Sequence, residues 1–473
     1  MANFDWEIRA KERRLENKQL KKRIKELTFS RDEWKVKAMK RKEDFDELNQ
    51  KLLVVKKKHA ADNRALAKRK PKRSHFSTAV ILAMLSAKIN TSVSFRGLSK
   101  VLATFNLYLN FELSSPSFST TMLWIKKIGY FQLQLPKEKA DDWIIILDES
   151  IGIGQEKVLV VLGIRRSRVD FSRPLMLQDM EPITVKSKER WTGQDIANEL
   201  KIVKERLGTI VYAVTDGGST IKYGLKEVEI KQVYDITHAI AICLQRLYEK
   251  DEDFKDYAHK AGQMRFKLCC SKYAHLIPPN QRSKSRFLNV DTLSNWGMNV
   301  LQAQQNNEIS TEDRAQLLWV KEKGSFIVEM DNIMSAVQEI SIILKNEGLS
   351  KQTKSRCISL LSSCKNGKSK IFKEYMLNYL AEYTKQISHR KEKLLCCSDI
   401  IESTFGRYKN ELSKNPMSGI TDLVLIIPAL TSSLSGESVR AAIDNCRVKD
   451  IVEWKKNNLC NSLLAKRKMV FKN

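Results

Sequence analysis

The spacing of apolar positions changes several times along the chain. Over residues 1–73, apolar residues recur in steps of three and four, at Leu20, Ile24, Leu27, Phe45, Leu48, Leu52 and Val55. This spacing predicts a helix with one apolar stripe, and no proline or glycine interrupts it before Pro71. We therefore expect a coiled-coil arm over 1–73, which either dimerises and clamps a partner or is a solvated single helix.

Three apolar helical stretches follow within residues 74–135: HFSTAVILAMLSAKI, TSVSFRGLSKVLATF and SSPSFSTTMLWIKKIGY. In the third, Ser115 suits the N-cap position and Pro116 the first helical position. Three short helices predict a helix-turn-helix module, and an ordinary three-helix bundle is the alternative. In a helix-turn-helix, the last helix would contact DNA through small polar and basic side chains: Ser117, Ser119, Thr120, Lys126 and Lys127.

Residues 140–240 combine strand and helix patterns. Apolar runs predict strands at DWIIILDES, EKVLVVLGI, TIVYAVTDGG and IKQVYDITH, and the stretch RRSRVDFSRPLMLQDMEP supplies one more after the second run. Between them, TGQDIANELKIVKERLG predicts an amphipathic helix capped by Thr192 and closed by Gly208. The resulting order β-β-β-α-β-α-β is that of an RNase H-like core, which makes this part of the chain α/β.

The remainder is predicted to be helical. Residues 241–390 form a helical insertion with polar breaks at IPPNQRSKSR and CKNGKSK. Residues 391–412 supply the last helix of the core, and residues 413–473 a basic helical tail. The predicted fold is therefore an α/β RNase H-like core interrupted by an all-α insertion, with coiled-coil and helix-turn-helix regions at the N-terminal end.

Charge identifies a class of partner. The 473-residue chain has 83 Lys and Arg against 55 Asp and Glu, a net charge of +28. Residues 1–73 hold 25 basic and 12 acidic residues, so they contribute +13 of that excess. Such a basic protein repels itself unless it binds a polyanion, so we expect double-stranded DNA as its partner, and a basic protein without such a partner is the alternative.

Cysteine usage and apolar run lengths bear on the compartment. The nine cysteines form no C-x-x-C pair, and two adjacent doublets, Cys269–Cys270 and Cys396–Cys397, suit neither zinc nor ordinary disulfides. We interpret them as reduced thiols. The N-terminal residues contain no secretion signal, and no apolar run is long enough to span a membrane. We therefore expect an intracellular location, in the cytoplasm or nucleoid, without membrane binding.

Two strand ends bear acidic residues. Asp148 directly follows the run IIIL, and Asp216 follows VYAVT and precedes Gly217–Gly218. If these strands are neighbours, the two carboxylates meet at one edge of the sheet. Carboxylates are the ligands that Mg²⁺ prefers, and two Mg²⁺ (or Mn²⁺) ions are the usual catalysts of phosphoryl transfer on DNA. A third acid would come from a later helix, where Glu402 and Asp399, three residues apart on the same face, could each point into the site.

These motifs resemble those of the DDE transposases, in particular the hAT, Mutator and related insertion-sequence transposases. The resemblance covers residues 140–412 and rests on IIILDES, VTDGGS, YDITH and IESTFGRYK. Asp235 follows Asp216 by 19 positions and forms a D-x-x-H motif with His238. Glu402 follows Asp216 by 186 positions, which is the gap that an inserted helical domain produces, and six residues separate it from Lys409.

The resemblance implies roles for individual residues. Asp148, Asp216 and Glu402 would be the catalytic metal ligands, while Asp235 and His238 would support the site. Lys409 would hold a DNA phosphate, or be an ordinary solvated lysine. The arginine that some of these families place before the glutamate is absent, since Ser398 occupies its position.

One aromatic residue of the insertion is a candidate for DNA binding. Transposases that form hairpins stack a flipped base on an aromatic side chain in this region, and stacking contributes about 1–3 kcal/mol per base. Trp296, in LSNWGM at an expected helix break, is the candidate, and a place in the hydrophobic core is the alternative.

The resemblance also implies a reaction. The protein would cleave DNA at the terminal inverted repeats of a mobile element and transfer the freed ends to target DNA. Because two ends must be held together, we expect a homodimer or a larger assembly. Two alternatives stay open: an RNase H-like structure-selective nuclease without strand transfer, and a catalytically retired DNA-binding regulator.

Overall fold

The computed structural model describes the chain in stretches: residues 70–109, 113–151, 156–280, 290–306, 309–389, 392–412, 417 and 419–471, with scattered positions between 13 and 50. The coiled-coil arm predicted for 1–73 therefore lies almost wholly outside the described residues. The chain divides into two compact units, 1–81 and 82–473. Within the described part, no helix is both long and apolar enough to cross a membrane.

Five strands and many helices follow one another. In chain order they are α1 Thr78–Asn90, α2 Phe95–Leu109, α3 Phe118–Gln134, β1 Ala140–Ile151, β2 Lys157–Arg165, β3 Glu181–Lys188, α4 Gly193–Leu207, β4 Gly208–Thr215, α5 Ser219–Glu227, β5 Gln232–Tyr234, α6 Ile236–Tyr248, α7 Glu252–Leu268, α8 Val290–Gln305, α9 Thr311–Glu322, α10 Gly324–Glu347, α11 Lys351–Leu360, α12 Gly367–Thr384, α13 Asp399–Glu411, α14 Ile426–Leu430, α15 Gly436–Asn445, α16 Val448–Asn458 and α17 Leu463–Val470.

The strands form one mixed sheet in the order β3-β2-β1-β4-β5. β1, β2 and β3 pair antiparallel, while β4 pairs parallel with β1, and β5 parallel with β4. Antiparallel neighbours can be joined by short turns, whereas parallel neighbours need crossovers, which α4 and α5 provide. The predicted α/β class is confirmed, and this five-stranded mixed sheet is consistent with an RNase H-like core.

The centre of the sheet is apolar on both faces. On one face, Trp143, Ile145 and Leu147 of β1 pack with apolar side chains of α4 and α5 in a buried cluster. On the other face, Ile144 and Ile146 are also fully buried. A strand that is buried on both faces has a continuous run of apolar residues in its sequence. The run IIIL therefore predicts β1. α4 has the expected ends, because Thr192 caps it and Gly208 follows it at φ 94°.

Helices α6 to α12 fill the interval between β5 and the last core helix, α13. Within them, α6, α10 and α12 pack against one another, and α10 also packs on α8 and α9. The chain returns through a two-residue bridge in which Leu349 and Leu394 exchange backbone hydrogen bonds of 2.8 Å. The α13 helix then packs on β1.

Helix α3 is embedded in the fold. It buries one face, including Trp124, Ile125 and Ile128, and contacts residues Asp422–Leu425 together with α14, α15 and α16. At Gly129, the backbone of α3 lies directly against the carbonyl group of Leu425. A helix-turn-helix assignment for α1 to α3 thus stays a prediction, and the third helix has its apolar face covered by the C-terminal segment.

Three local predictions were wrong. The third strand begins only at Glu181, because residues Leu177–Asp179 form a 3₁₀ turn fixed by an ion pair between Arg173 and Asp179. Helix α3 is capped by Ser117 and not by Ser115, since the Ser117 hydroxyl accepts the N–H of Thr120. The third error concerns Trp296, which lies inside α8 and not at a helix break, because the apolar stripe continues through it.

The packing of α3 predicts an asymmetric effect of two glycine substitutions. Gly129→Ala should lower the free energy of unfolding by about 1–3 kcal/mol, because the new methyl group meets backbone that cannot rotate away. Gly262→Ala, in α7, adds a methyl group with no neighbour within 4 Å, so it should stabilise the protein by up to about 1 kcal/mol through helix propensity. Urea unfolding of both variants measures the difference. Equal stabilities would contradict the packing of α3 on the C-terminal segment.

Candidate active site

The carboxylates of Asp148 and Asp216 lie on one face of the sheet. Ile146 of β1 is the parallel partner of Val214 of β4, and each acid is two positions further along its strand or the extension of it. Because side chains alternate along a strand, both acids share a face with these two residues. They lie on the side of the sheet opposite to the cluster around Leu147. The two acids therefore share one face of adjacent strands, as predicted, but Asp148 does not end its strand, since β1 continues to Ile151 through its pairing with β2.

Glu149 faces the other way. Its carboxylate pairs with Lys157 at 3.0 Å and accepts the hydroxyl of Thr220, on α5, at 2.9 Å. These contacts use both of its oxygens. The expectation that Glu149 points to the opposite side of the strand agrees with this arrangement, and Glu149 does not join the pair.

Asp148 occupies an electrostatically unfavourable position. Burial raises its pKa, the charge of Asp216 raises it further, and the more distant charge of Glu402 adds to this. A hydrogen bond from the N–H of Glu149 and the charge of His238 act in the opposite direction, and the result is a pKa of about 6. Three carboxylates from separate parts of the chain thus act on one another at this edge of the sheet.

Glu402 is held by His238. The side chain of Glu402, on the first turn of α13, meets Nε2 of His238, on the first turn of α6, at 2.8 Å between Nε2 and Oε1. This hydrogen bond raises the pKa of His238 to about 9, against the opposing effect of burial, with help from the charges of Asp235 and Asp216. His238 is therefore an imidazolium at neutral pH, and it brings positive charge to a site formed by acids.

Asp235 is fully buried and fully bonded. One of its oxygens accepts the N–H of His238 at 2.8 Å, and the other accepts both the N–H and the hydroxyl of Ser398, the latter at 2.9 Å. Burial raises its pKa, and these hydrogen bonds and the charge of His238 oppose that effect. Both oxygens of Asp235 are therefore engaged within the protein, and its supporting role stays a prediction.

Asp399, the alternative third acid, is engaged in the same way. One oxygen accepts the hydroxyl of Thr237 at 3.1 Å, and the other forms an ion pair of 2.5 Å with Lys345 of α10. Although burial acts against it, the bond with Lys345 brings the pKa of Asp399 below its ordinary value. The acid is thereby committed to a contact between α13 and the helical insertion.

One group of potential metal ligands is compact. Ligand atoms of Asp235, Cys397 and Asp399 all lie within 4.8 Å of one another, and this is the one such group of three among the described residues. The carboxylate oxygens in it already accept hydrogen bonds or an ion pair, as described above. Asp148, Asp216 and Glu402 do not form such a group among the described residues.

The chemistry of the donors nevertheless suits a divalent cation at Asp148 and Asp216. Each accepts a hydrogen bond from a nearby backbone N–H, Asp148 from Glu149 and Asp216 from Gly218. Both are half-buried, and their like charges repel one another. A cation with hard oxygen ligands would relieve that repulsion, so this pair suits a divalent cation better than Asp235 and Asp399 do.

The remaining predicted site residues occupy different surroundings. Lys409 is exposed, on the last turn of α13 and two turns from Glu402. Ser117, Ser119 and Thr120 share hydroxyl hydrogen bonds of 2.8–2.9 Å at the start of α3.

Lys126 and Lys127, further along the same helix, already have partners within the protein. Lys126 is bound to Asp422 at 3.0 Å, and Lys127 donates to the carbonyl of Ile443 at 3.3 Å. Contact of these two lysines, of the hydroxyl residues before them and of Lys409 with DNA stays a prediction.

Trp296 is packed among other residues of the insertion. Its ring lies 6.0 Å from the ring of Trp319, centroid to centroid, and its indole N–H donates to the carbonyl of Leu276 at 3.3 Å. Both rings are half-buried. This surrounding agrees with the alternative interpretation of Trp296 as a packing residue, and stacking on a DNA base stays a prediction.

Sequence patterns missed three residues of the site. Ser398 appeared only as a departure from a family pattern, yet it donates twice to Asp235. Thr237 lies within the D-x-x-H motif, at a position that the motif leaves unspecified. Lys345 lies in the middle of the insertion, where charge pattern alone cannot reveal a partner 54 residues away. A serine directly before an acidic helical stretch is the one signal that pointed toward Ser398.

The chain was also compared with known proteins. Neither a protein-family model nor a curated protein sequence matches it. In structure it is similar to the P element transposase of Drosophila in a strand transfer complex, with a TM-score of 0.42 and 12% sequence identity, over 83% of this chain and 100% of that one. A likeness at this level carries no argument about function, which has to come from the residues of the site.

The raised pKa of Asp148 predicts that the variant Asp148→Asn is more stable than the unchanged protein at neutral pH but not at acidic pH. Because its pKa is raised from 3.8 to about 6, the folded protein binds this proton more tightly than the unfolded chain does. Stability is therefore lost as pH rises between these values, and Asp148→Asn should recover on the order of 1–3 kcal/mol above pH 6. Below about pH 4 the variant and the unchanged protein should be equally stable. Thermal unfolding in the presence of a chelator at several pH values measures this.

Glu149→Gln is the matched control for this experiment. It neutralises the adjacent acid, but on the other face, where the ion pair with Lys157 is lost. We expect no gain of stability from it at any pH. A gain that is equal in both variants would mean that net charge, and not the apposition of Asp148 and Asp216, causes the effect.

Proposed function

We propose that this protein is a DNA transposase that cleaves DNA at the ends of a mobile element and joins those ends to target DNA. The observation that carries the proposal is the apposition of Asp148, within β1, and Asp216, directly after β4, on one face of the sheet, with the charge of Glu402 acting on Asp148. On a sheet with this topology, such an arrangement of acids suits metal-dependent phosphoryl transfer. The resemblance of the motifs to those of DDE transposases gives the reaction its class.

In the proposed reaction, Asp148, Asp216 and Glu402 would hold Mg²⁺ or Mn²⁺. Two bound ions would supply activation of the attacking oxygen and relief of charge on the scissile phosphate. Asp148 and Asp216 lie on a rigid sheet, so they fix the position of the phosphate. His238 donates from Nε2 to Oε1 of Glu402, and this hydrogen bond fixes the orientation of that carboxylate.

The net charge supports DNA as the substrate. A charge of +28, of which residues 1–73 contribute +13, attracts a polyanion over a long range. We propose that this segment and the helices before β1 bind the terminal inverted repeats. Because two ends must be joined together, the active form would be a homodimer or larger assembly.

A DNA cleavage assay tests the function. The substrate is a labelled duplex that ends in the inverted repeats found on either side of the gene, mixed with a target plasmid and Mg²⁺. We expect nicking at the repeat ends followed by joined products, and neither without the metal. Asp148→Asn and Asp216→Asn should each lower the cleavage rate by roughly a hundredfold or more. The control is Glu149→Gln, which should cleave at the unchanged rate.

The products distinguish the other functions. Cleavage without joined products would identify a nuclease. Sequence-specific binding of the repeats with no metal-dependent cleavage would identify a DNA-binding regulator. Either result would overturn the proposal.

The identity of the third acid forms a separate prediction. We expect Glu402→Gln to lower the cleavage rate as much as Asp148→Asn does. Asp399 cannot take over its role, because both oxygens of Asp399 are already engaged by Thr237 and Lys345. Asp399→Asn should retain measurable cleavage, reduced through a less firmly held α13. The comparison of single-turnover rates under saturating Mg²⁺ decides between them. A greater loss in Asp399→Asn than in Glu402→Gln would exchange their roles.

A further inference from the structure

A single buried carboxylate joins the first turns of two helices that are far apart in sequence. Asp235 has no exposed surface. Through one oxygen it caps α6, by accepting the N–H of His238 at 2.8 Å. Through the other it accepts the N–H and the hydroxyl of Ser398, the residue that directly precedes α13. A backbone hydrogen bond of 2.9 Å from Ile236 to Cys396 runs alongside.

The two helices joined in this way bear the two residues that meet in the site. His238 lies on the first turn of α6 and Glu402 on the first turn of α13, and their side chains are 2.8 Å apart. The whole helical insertion lies between them in sequence, 163 positions from Asp235 to Ser398. The contact between His238 and Glu402 therefore depends on whatever holds the starts of these helices together.

A capping function does not require a carboxylate at this position. Asn and Ser cap helices about as well as Asp does, because a cap needs only one acceptor oxygen. The second oxygen of Asp235 is the one that reaches Ser398. Two helix N-termini also concentrate partial positive charge around this group, which favours a carboxylate over an amide there.

We propose that Asp235 is the positioning residue for Glu402. By holding α6 and α13 through its two oxygens, it sets the distance of Glu402 from Asp148 and Asp216. This inference rests on the proposed function, in which Glu402 is the third metal ligand. The contact of Asp399 with Thr237 and Lys345 assists, but it is half-exposed and acts on the same helix from the side of the insertion.

The test separates capping from positioning. Asp235→Asn and Asp235→Ser keep an acceptor for the N–H of His238 but lose the oxygen that accepts from Ser398. If Asp235 positions Glu402, both variants should bind Mn²⁺ roughly tenfold more weakly, the size of effect typical of residues that orient metal ligands. The kcat of cleavage should fall at least as much, while the Kd for repeat DNA stays unchanged. Calorimetry, single-turnover kinetics and a DNA-binding assay supply these values.

Hydrogen exchange gives a readout that does not depend on activity. In Asp235→Asn, the amides of the first turn of α13 should exchange faster, while those of the first turn of α6 keep their rates. The matched control is Asp251→Asn, which alters the cap of α7, where Asp251 accepts the N–H of Phe254 at 2.9 Å. That variant should leave the exchange of α13 and the affinity for Mn²⁺ unchanged.

The outcomes separate this inference from the function on which it rests. If the unchanged protein cleaves DNA, and Asp235→Asn folds and equals it in Mn²⁺ affinity, kcat and exchange of α13, the positioning role is overturned and the function stands. If the unchanged protein neither binds Mn²⁺ nor cleaves DNA, the proposed function falls, and unchanged exchange of α13 in Asp235→Asn would overturn the link between the helices too.

If Asp235→Asn fails to fold, Ser398→Ala is the second variant, because it removes only the hydroxyl donor to Asp235. A smaller loss of Mn²⁺ affinity and of kcat in this variant supports the positioning role, and no loss overturns it.

Discussion

The parallel pairing of β1 with β4 is the constraint on which the rest of the site depends. It aligns Ile146 with Val214, and so brings the acids that follow them to the same face of the sheet. Because these strands are buried on both faces, a slip of one residue in the register would turn an acid toward the apolar cluster on the other face. The position of Asp148 and Asp216 is thus determined by hydrophobic packing, although their own interaction is repulsive.

The third acid comes from a different kind of constraint. The entropic cost of closing a loop rises only slowly with the length of the loop. An insertion of this length adds about 2 kcal/mol to that cost, compared with a short connection. Specific bonds must then select one arrangement of α13. They are the bridge between Leu349 and Leu394, the bond from Ile236 to Cys396, and the bonds of Asp235 to Ser398. Each joins the return of the chain to the core or to the end of the insertion.

The sequence allowed prediction of what short-range patterns determine. The apolar runs around Ile145 and Val214 predicted the strands, and the acids that follow them predicted the paired carboxylates. The D-x-x-H motif predicted a supporting role for Asp235 and His238, and that role stays a prediction. Periodicity could not reveal that Asp235 bonds Ser398, 163 positions away, or that Asp399 bonds Lys345, 54 positions away. The third strand was misplaced because ion pairs, which leave no periodic signal, hold residues 166–179 in turns.

Burial alone does not distinguish a ligand from a structural acid in this site, but hydrogen bonding does. Asp235 is the more deeply buried, yet three donors satisfy its two oxygens, so a cation would have to displace them. Asp148 is less buried, and beside its one bond to a backbone N–H it faces other carboxylates, which raise its pKa. An acid whose charge is opposed by its neighbours gains most from a cation, and one whose charge is already satisfied gains least. The same fold therefore contains one carboxylate suited to binding metal and another suited to holding the binder in place.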